Sequence, residues 1–316
     1  MNYEALLKEY ALKNEEVVVM TAENRALVRN LPQVLGSRFI DTGITEQTMI
    51  GAAAGLALRG RKPIVHALAA FLTMRAFEFV RTDVGISGLP IKMSSFVPGF
   101  LSDGNGPTHQ AVEDISLMRG IPGMQVYCPA DEEDLVAMLP HIWDNDSPAY
   151  VRICTRPAAI SHQPYTPGKA EIISMGKDVN ILVYGMLLEQ AMQAKTLLES
   201  EGLDVGVVNL RSVWPIDKEA LMQCVGTGSL LVTLEDHFLT GGLYSIVAEE
   251  LLSAGKTAKV LPIALKNKWF KPALLADLMA YEGFTAPQIS NHILQTLGSE
   301  KRVAAPAGVS PNPFDE

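Results

Sequence analysis

Glu46 opens the run EQTMIGAAAGLAL, and a carboxylate in the first turn of a helix sits where free backbone amides favour an anion. Acidic residues also gather in first turns for capping alone. Just upstream, Asp41, Thr42 and Gly43 break a short apolar run with turn chemistry, and Thr45 can cap the helix that follows. His109 stands in a second turn, GNGPTHQ, whose Gly104, Gly106 and Pro107 would present Thr108, His109 and Gln110 rigidly at a helix start. An imidazole so placed suits hydrogen bonding to a hydroxyl or oxyanion and proton movement near neutral pH. Phe71 offers a flat apolar face that can stack for about 0.5–1.5 kcal/mol beyond its burial. Phe71, Met74 and Phe77 also lie at the spacing of a buried helix face.

The elements that would position these residues follow an alternating pattern. Strands are expected over 16–20, 38–40, 63–66, 91–95, 124–127 and 150–153, with helices between several of them, including 73–83 and 131–141. The Glu46 helix carries Gly51, Ala52, Ala53, Ala54 and Gly55, which sacrifice helix propensity but let another backbone approach, so a second chain or domain is expected to pack there. Its apolar run is far short of the roughly 20 residues that span a bilayer. A stretch rich in Pro, Gly and Ser follows. Beyond it a second alternating unit has strands at 204–210, 229–234 and 259–264, one more from Asn180, and helices at 189–200, 242–254 and 286–297. The fold class is therefore α/β, with two domains that are each a mostly parallel sheet flanked by helices: residues 1–157 and 178–300, joined by a linker at 158–177 and followed by a flexible tail at 301–316.

With 316 residues, 48% of them hydrophobic, the chain can bury two ordinary cores. A net charge of −9 and a pI near 5.2, with no basic tract, argue against a nucleic-acid partner. The start lacks the apolar core and cleavage site of a signal peptide, which makes the cytoplasm the expected location. Cys128, Cys154 and Cys224 are odd in number and far apart, as reduced thiols rather than a disulfide framework or zinc site would be.

DTGITEQTMIGAAAGLAL resembles the pyrimidine-binding domain of the transketolase superfamily, where a glycine-isoleucine-x-glutamate motif opens this helix. GNGPTHQ resembles the family's GxxGPTHQ segment, and IPGMQVYCPADEEDL a further, architectural stretch. TLEDH followed by Gly241-Gly242, with Pro215-Ile216-Asp217, is similar to its C-terminal domain. The resemblance covers roughly residues 16–297.

It implies thiamine diphosphate as cofactor, with Glu46 hydrogen-bonding a ring nitrogen of the aminopyrimidine and so favouring the tautomer whose exocyclic nitrogen removes the thiazolium C2 proton. Phe71 would stack on that ring with Met74 nearby, and Leu68 replaces a second aromatic found in many members. Glu23 matches an acidic residue that could approach the cofactor, reach the subunit interface or cap a helix. His109 would face the donor carbonyl. Arg152 and Arg156 both fall where relatives place a phosphate-binding arginine, and spacing does not choose between them. His237 reads as structural.

The family's glycine-aspartate-glycine motif with its downstream asparagine, which holds Mg2+ and the diphosphate, has no counterpart here. The resemblance thus implies the C-terminal-half subunit of a split transketolase. An N-terminal-half partner would carry the metal ligands in an α2β2 assembly, with self-association through the small-residue helix. The reaction would move a two-carbon ketol unit from a ketose to an aldehyde. A β subunit of a 2-oxoacid dehydrogenase, and a non-catalytic interaction subunit, are the rival readings. Asn105 stands where many transketolases have an aspartate that bonds a donor hydroxyl, and residues 96–100 lack their sugar-phosphate histidine, which points to a modified ketose.

Overall fold

The computed structural model describes residues 1–266 and 268–303. Val17–Thr21 (β1) is buried at all five positions, the signature of a strand covered by helices on both faces. It pairs in parallel with Phe39–Asp41 (β2) on one side and Lys62–Leu68 (β3) on the other. Lys92–Phe96 (β4), Gln125–Tyr127 (β5) and Ala149–Arg152 (β6) continue the sheet, all parallel. The second sheet is built from Glu171–Ser174 (β7), Val179–Val183 (β8), Val205–Asn209 (β9), Leu230–Phe238 (β11) and Val260–Leu265 (β12), in the order β12-β11-β8-β9-β7. It is parallel except for β7, which runs antiparallel to β9.

Four features depart from the expected layout. Ser212–Trp214 (β10) leaves the second unit to pair antiparallel with β5, so the first sheet runs β10-β5-β6-β4-β3-β1-β2. The end of the stretch expected as linker forms β7. The helix expected over 73–83 is instead a series of wide turns, Phe71–Arg75 and Val80–Ile86, around the short Phe77–Phe79. Ala76 N–H donates to the Phe71 carbonyl 3.1 Å away, five residues back, while the Thr73 hydroxyl takes the Ala69 carbonyl at 2.7 Å. Turns of this width recur where a side chain must be re-aimed. The last helix, Ala286–Val303, runs into the stretch expected as tail; from residue 304 that stretch lies outside the described residues.

Buried charge joins the two units. The His162 ring donates from Nδ1 to Glu171 and from Nε2 to Asp131, both at 2.8 Å. Arg211 donates to Asp134 at 2.6 Å and lies 3.4 Å from Glu171. Asp134, His162 and Glu171 could converge on a cation, but Nδ1 already serves Glu171, Nε2 serves Asp131 and the guanidinium serves Asp134.

Burial alone would lower the His162 pKa, yet its bonds to Asp131 and Glu171 win and raise it to about 10. Burial would raise that of Glu171, yet bonds from His162, Asn209 and Gln163 bring it down to about 2. Stability from the imidazolium is full below its ordinary pKa of 6.5 and is lost as pH rises through about 10. That from Glu171 is full above 4.5 and is lost as pH falls through about 2. The clasp should therefore hold fully between pH 4.5 and 6.5. His162→Ala, which strips a buried partner, should cost about 3–5 kcal/mol near pH 6 and flatten the fall in melting temperature toward pH 10. Thermal melts of both proteins across that range check it; a variant that melts with the wild type at pH 6 would rule the clasp out.

Candidate functional site

The site lies at the carboxyl ends of β1 to β4, where parallel α/β sheets bind ligands. Asp41, the last residue of β2, organises its floor. Its carboxylate accepts N–H groups from Gly43 (2.9 Å) and Glu23 (3.0 Å) and the Arg25 guanidinium. Burial would raise its pKa, but these donors hold it below the usual carboxylate range. Glu23 is exposed at the end of β1 with φ +71°, and its amide is committed to Asp41. Gly43 supplies the left-handed turn, φ +70°, that starts the chain into helix Glu46–Leu58. Thr45 occupies the cap position without capping: its hydroxyl donates to the Thr42 carbonyl at 2.9 Å.

Glu46 is 1% exposed. Arg75 donates to its Oε2 at 3.0 Å, and the same guanidinium lies 3.9 Å from the centre of the Phe71 ring. The His109 ring meets Phe71 edge-on, 5.0 Å between centroids at 62°. Carboxylate, guanidinium, phenyl and imidazole thus form one continuous series. Met74 packs with Phe71 on the small cluster Ala69, Ala70 and Ala111, whereas Leu68 ends β3 and packs into the core of the first unit. Asn105 is exposed on the turn before His109 and donates to the Ser102 hydroxyl at 3.4 Å.

Arg75 went unread in the sequence. It follows Phe71 by four residues, beside the Phe71–Met74–Phe77 stripe, and its guanidinium stands over that ring. The spacing of an aromatic and an arginine four apart was the available signal. The guanidinium is planar, donates hydrogen bonds to the buried carboxylate and stacks on the phenyl face. A planar nitrogen heterocycle that took its place would find the same two contacts.

The two arginines left open by the sequence differ in setting. Arg152, the last residue of β6, is buried and donates to Asp114 at 3.0 Å and to Asp236 at 2.7 Å, pulling the two units together, while its Nη2 has no hydrogen-bond partner. Arg156, beyond the strand, is part-exposed and lies 3.4 Å from Glu189. The TLEDH segment is architectural throughout. Glu235 caps helix Leu243–Ser253 by accepting the Leu243 and Tyr244 N–H groups, and burial raises its pKa to about 8 despite them. His237 donates to the Phe238 carbonyl at 2.6 Å and accepts the Ser116 N–H at 3.3 Å.

Residues 2–158 match the transketolase pyrimidine binding domain and residues 168–289 the transketolase C-terminal domain. The chain is 38% identical over 252 residues to a 6-deoxy-6-sulfo-D-fructose transketolase subunit from Clostridium sp. (strain MSTE9), covering 78% of each. It is 33% identical to a 1-deoxy-D-xylulose-5-phosphate synthase from Caldanaerobacter subterraneus subsp. tengcongensis, over 92% of this chain, and spans 47% of that enzyme's length. Among solved structures it superposes on a split gene transketolase, an inactive beta4 tetramer, with a TM-score of 0.85 and 32% identity, covering 94% of this chain and 97% of the other.

Proposed function

The chain belongs to the transketolase family, and from that membership we propose that it is the C-terminal-half subunit of a split, thiamine-diphosphate-dependent transketolase. The observation that carries this reading is the convergence of Glu46, Phe71 and His109 from three separate segments on one spot. A buried carboxylate beside an aromatic face fits an aminopyrimidine, and Arg75 already uses both contacts. When bound, thiamine diphosphate supplies the nucleophilic carbon that carries a ketol unit from ketose to aldehyde. Glu46 would hydrogen-bond the pyrimidine once Arg75, whose side chain is 40% exposed, had moved aside to solvent. Phe71, flanked by Met74, would give the ring an apolar face to stack on. His109 exchanges protons with the donor's carbonyl and hydroxyl oxygens. Asn105 hydrogen-bonds a donor hydroxyl, and Arg156 meets the sugar's anionic end.

The diphosphate and Mg2+ ligands come from an N-terminal-half partner in an α2β2 assembly. Helix Glu46–Leu58 offers Ala52, Gly55 and Leu58 to solvent, a face of small and apolar residues suited to packing against a second copy. Among the described residues no helix is long and apolar enough to cross a membrane, and on this reading the enzyme works in the cytoplasm.

The proposed donor is a modified ketose whose anionic group is not the usual phosphate, such as the sulfonated 6-deoxy sugar in the name of the Clostridium relative. A sulfonate brings one negative charge where a phosphate brings about 1.5 to 2. The part-exposed Arg156, with no histidine over 96–100, suits the smaller charge.

Calorimetry and kinetics test the proposal together. The chain alone should bind thiamine diphosphate weakly even with Mg2+, and tightly once the partner is added; tight binding by the isolated chain would refute the split site. The complex should prefer 6-deoxy-6-sulfofructose over fructose 6-phosphate and xylulose 5-phosphate. Turnover of either phosphate with kcat/KM in the usual range of roughly 10⁴–10⁸ M⁻¹s⁻¹ would refute the modified donor.

A further inference from the structure

The turn that carries His109 is held at both ends by the other unit. Phe100, which opens it, is fully buried, and its ring packs edge-on against Phe270 (6.4 Å between centroids) and Phe284 (5.2 Å). Its N–H donates to Asp236 at 3.4 Å, the carboxylate that also grips Arg152. Gly99 before it, φ +55°, has no room for a side chain: a Cβ would stand 1.8 Å from Asp236 Oδ2. At the other end Gly106, φ +71°, is pressed against Pro272, whose Cγ lies 2.6 Å from where a Cβ would be. The Gly106 carbonyl then accepts the N–H groups of His109 (3.0 Å) and Gln110 (3.1 Å). The proline contact and the hydrogen bond that fixes His109 therefore meet in a single residue. Behind the turn, Phe238 N–H donates to the Val112 carbonyl at 2.8 Å and closes the grip.

We propose that Phe270 and Pro272 are positioning residues for His109, so that the C-terminal unit sets where the imidazole stands against Phe71. The proposal rests on the reading of His109 as the group that handles the donor. A ring displaced by about 1 Å loses alignment with its substrate, and such shifts cost up to about a hundredfold in rate even when the mutation lies far from the chemistry. The grip acts through backbone: neither residue needs to touch substrate or cofactor. Pro272 is exposed and Phe270 is 4% exposed, so the two probe the grip with different risks to folding.

Two measurements on Pro272→Ala and Phe270→Leu test it. In the full-length chain labelled with [13C]histidine, the His109 Hε1 resonance, identified by its loss in His109→Gln, should move in both variants while that of His162 stays. An unmoved His109 resonance overturns the inference. In the complete complex with cofactor, kcat/KM for the ketose donor should fall about tenfold to a hundredfold, while proton exchange at the cofactor's reactive carbon keeps its wild-type rate per folded site. Unchanged donor kinetics, or equal losses of exchange and turnover, would reduce Phe270 and Pro272 to ordinary packing. If the wild-type complex transfers no ketol unit from any donor, the functional reading falls, and the donor-handling role of the positioned ring falls with it.

Discussion

Glu46→Ala in the assembled enzyme should slow proton exchange at the cofactor's reactive carbon by about 10²–10⁴-fold while leaving the fold intact. The two halves of that expectation have separate grounds. On the proposed reading the buried carboxylate would set the protonation of a pyrimidine held against Phe71, at the contact point that Arg75 marks at 3.0 Å. Folding tolerates the change because the charge stranded by the mutation is the guanidinium of Arg75, whose side chain is 40% exposed and can reach water. The severe penalty for an unpaired buried ion is thereby avoided. Exchange at the wild-type rate in Glu46→Ala would take Glu46 out of the mechanism. A lowered melting temperature with normal exchange would make it a structural residue.

His109→Ala should act on a different step, with donor turnover falling by about 10²–10⁴-fold and proton exchange at the cofactor surviving. The imidazole meets Phe71 by its edge and lies beyond it from Glu46, so its removal leaves the carboxylate and the stacking face in place. Its Nδ1 is 2.8 Å from the Thr108 hydroxyl, a contact that orients the ring and leaves Nε2 for the donor. Measuring exchange and turnover on the same preparation decides the matter: loss of both to the same extent would mean that His109 holds the site together.

Glu46 and His109 stood out in the sequence because each follows a turn built on glycine. Gly43 before the Glu46 helix and Gly106 before His109 both adopt positive φ, as motifs built on glycine allow. Strands such as β1 and β8 were legible within a residue or two through unbroken apolar runs, whereas β11 runs four residues past its expected end, through Glu235, Asp236 and His237, which no apolar run announces. What escaped depended on distant partners. Arg152 and Arg156 are told apart by partners far along the chain, Asp114 and Asp236 for the first and Glu189 for the second. Arg75 was passed over because its buried partner Glu46 lies 29 residues earlier in the chain. Strands β7 and β10 are four and three residues long, and neither has enough alternation to announce itself before the neighbouring strand is known.

The pairing of β10 with β5 also imposes an order of events on the ribosome. Ser212 is the partner of Tyr127, so about 85 further residues must be made before the first sheet can be finished. At roughly 5–20 residues per second that interval lasts about 4–17 s. Once β6 has been made and paired with it, β5 presents an open strand edge until β10 arrives, the kind of surface on which neighbouring chains can pair wrongly. Slowing translation between these strands would lengthen that exposure, and the folded yield of synonymous variants of this stretch is the measurement that reads it.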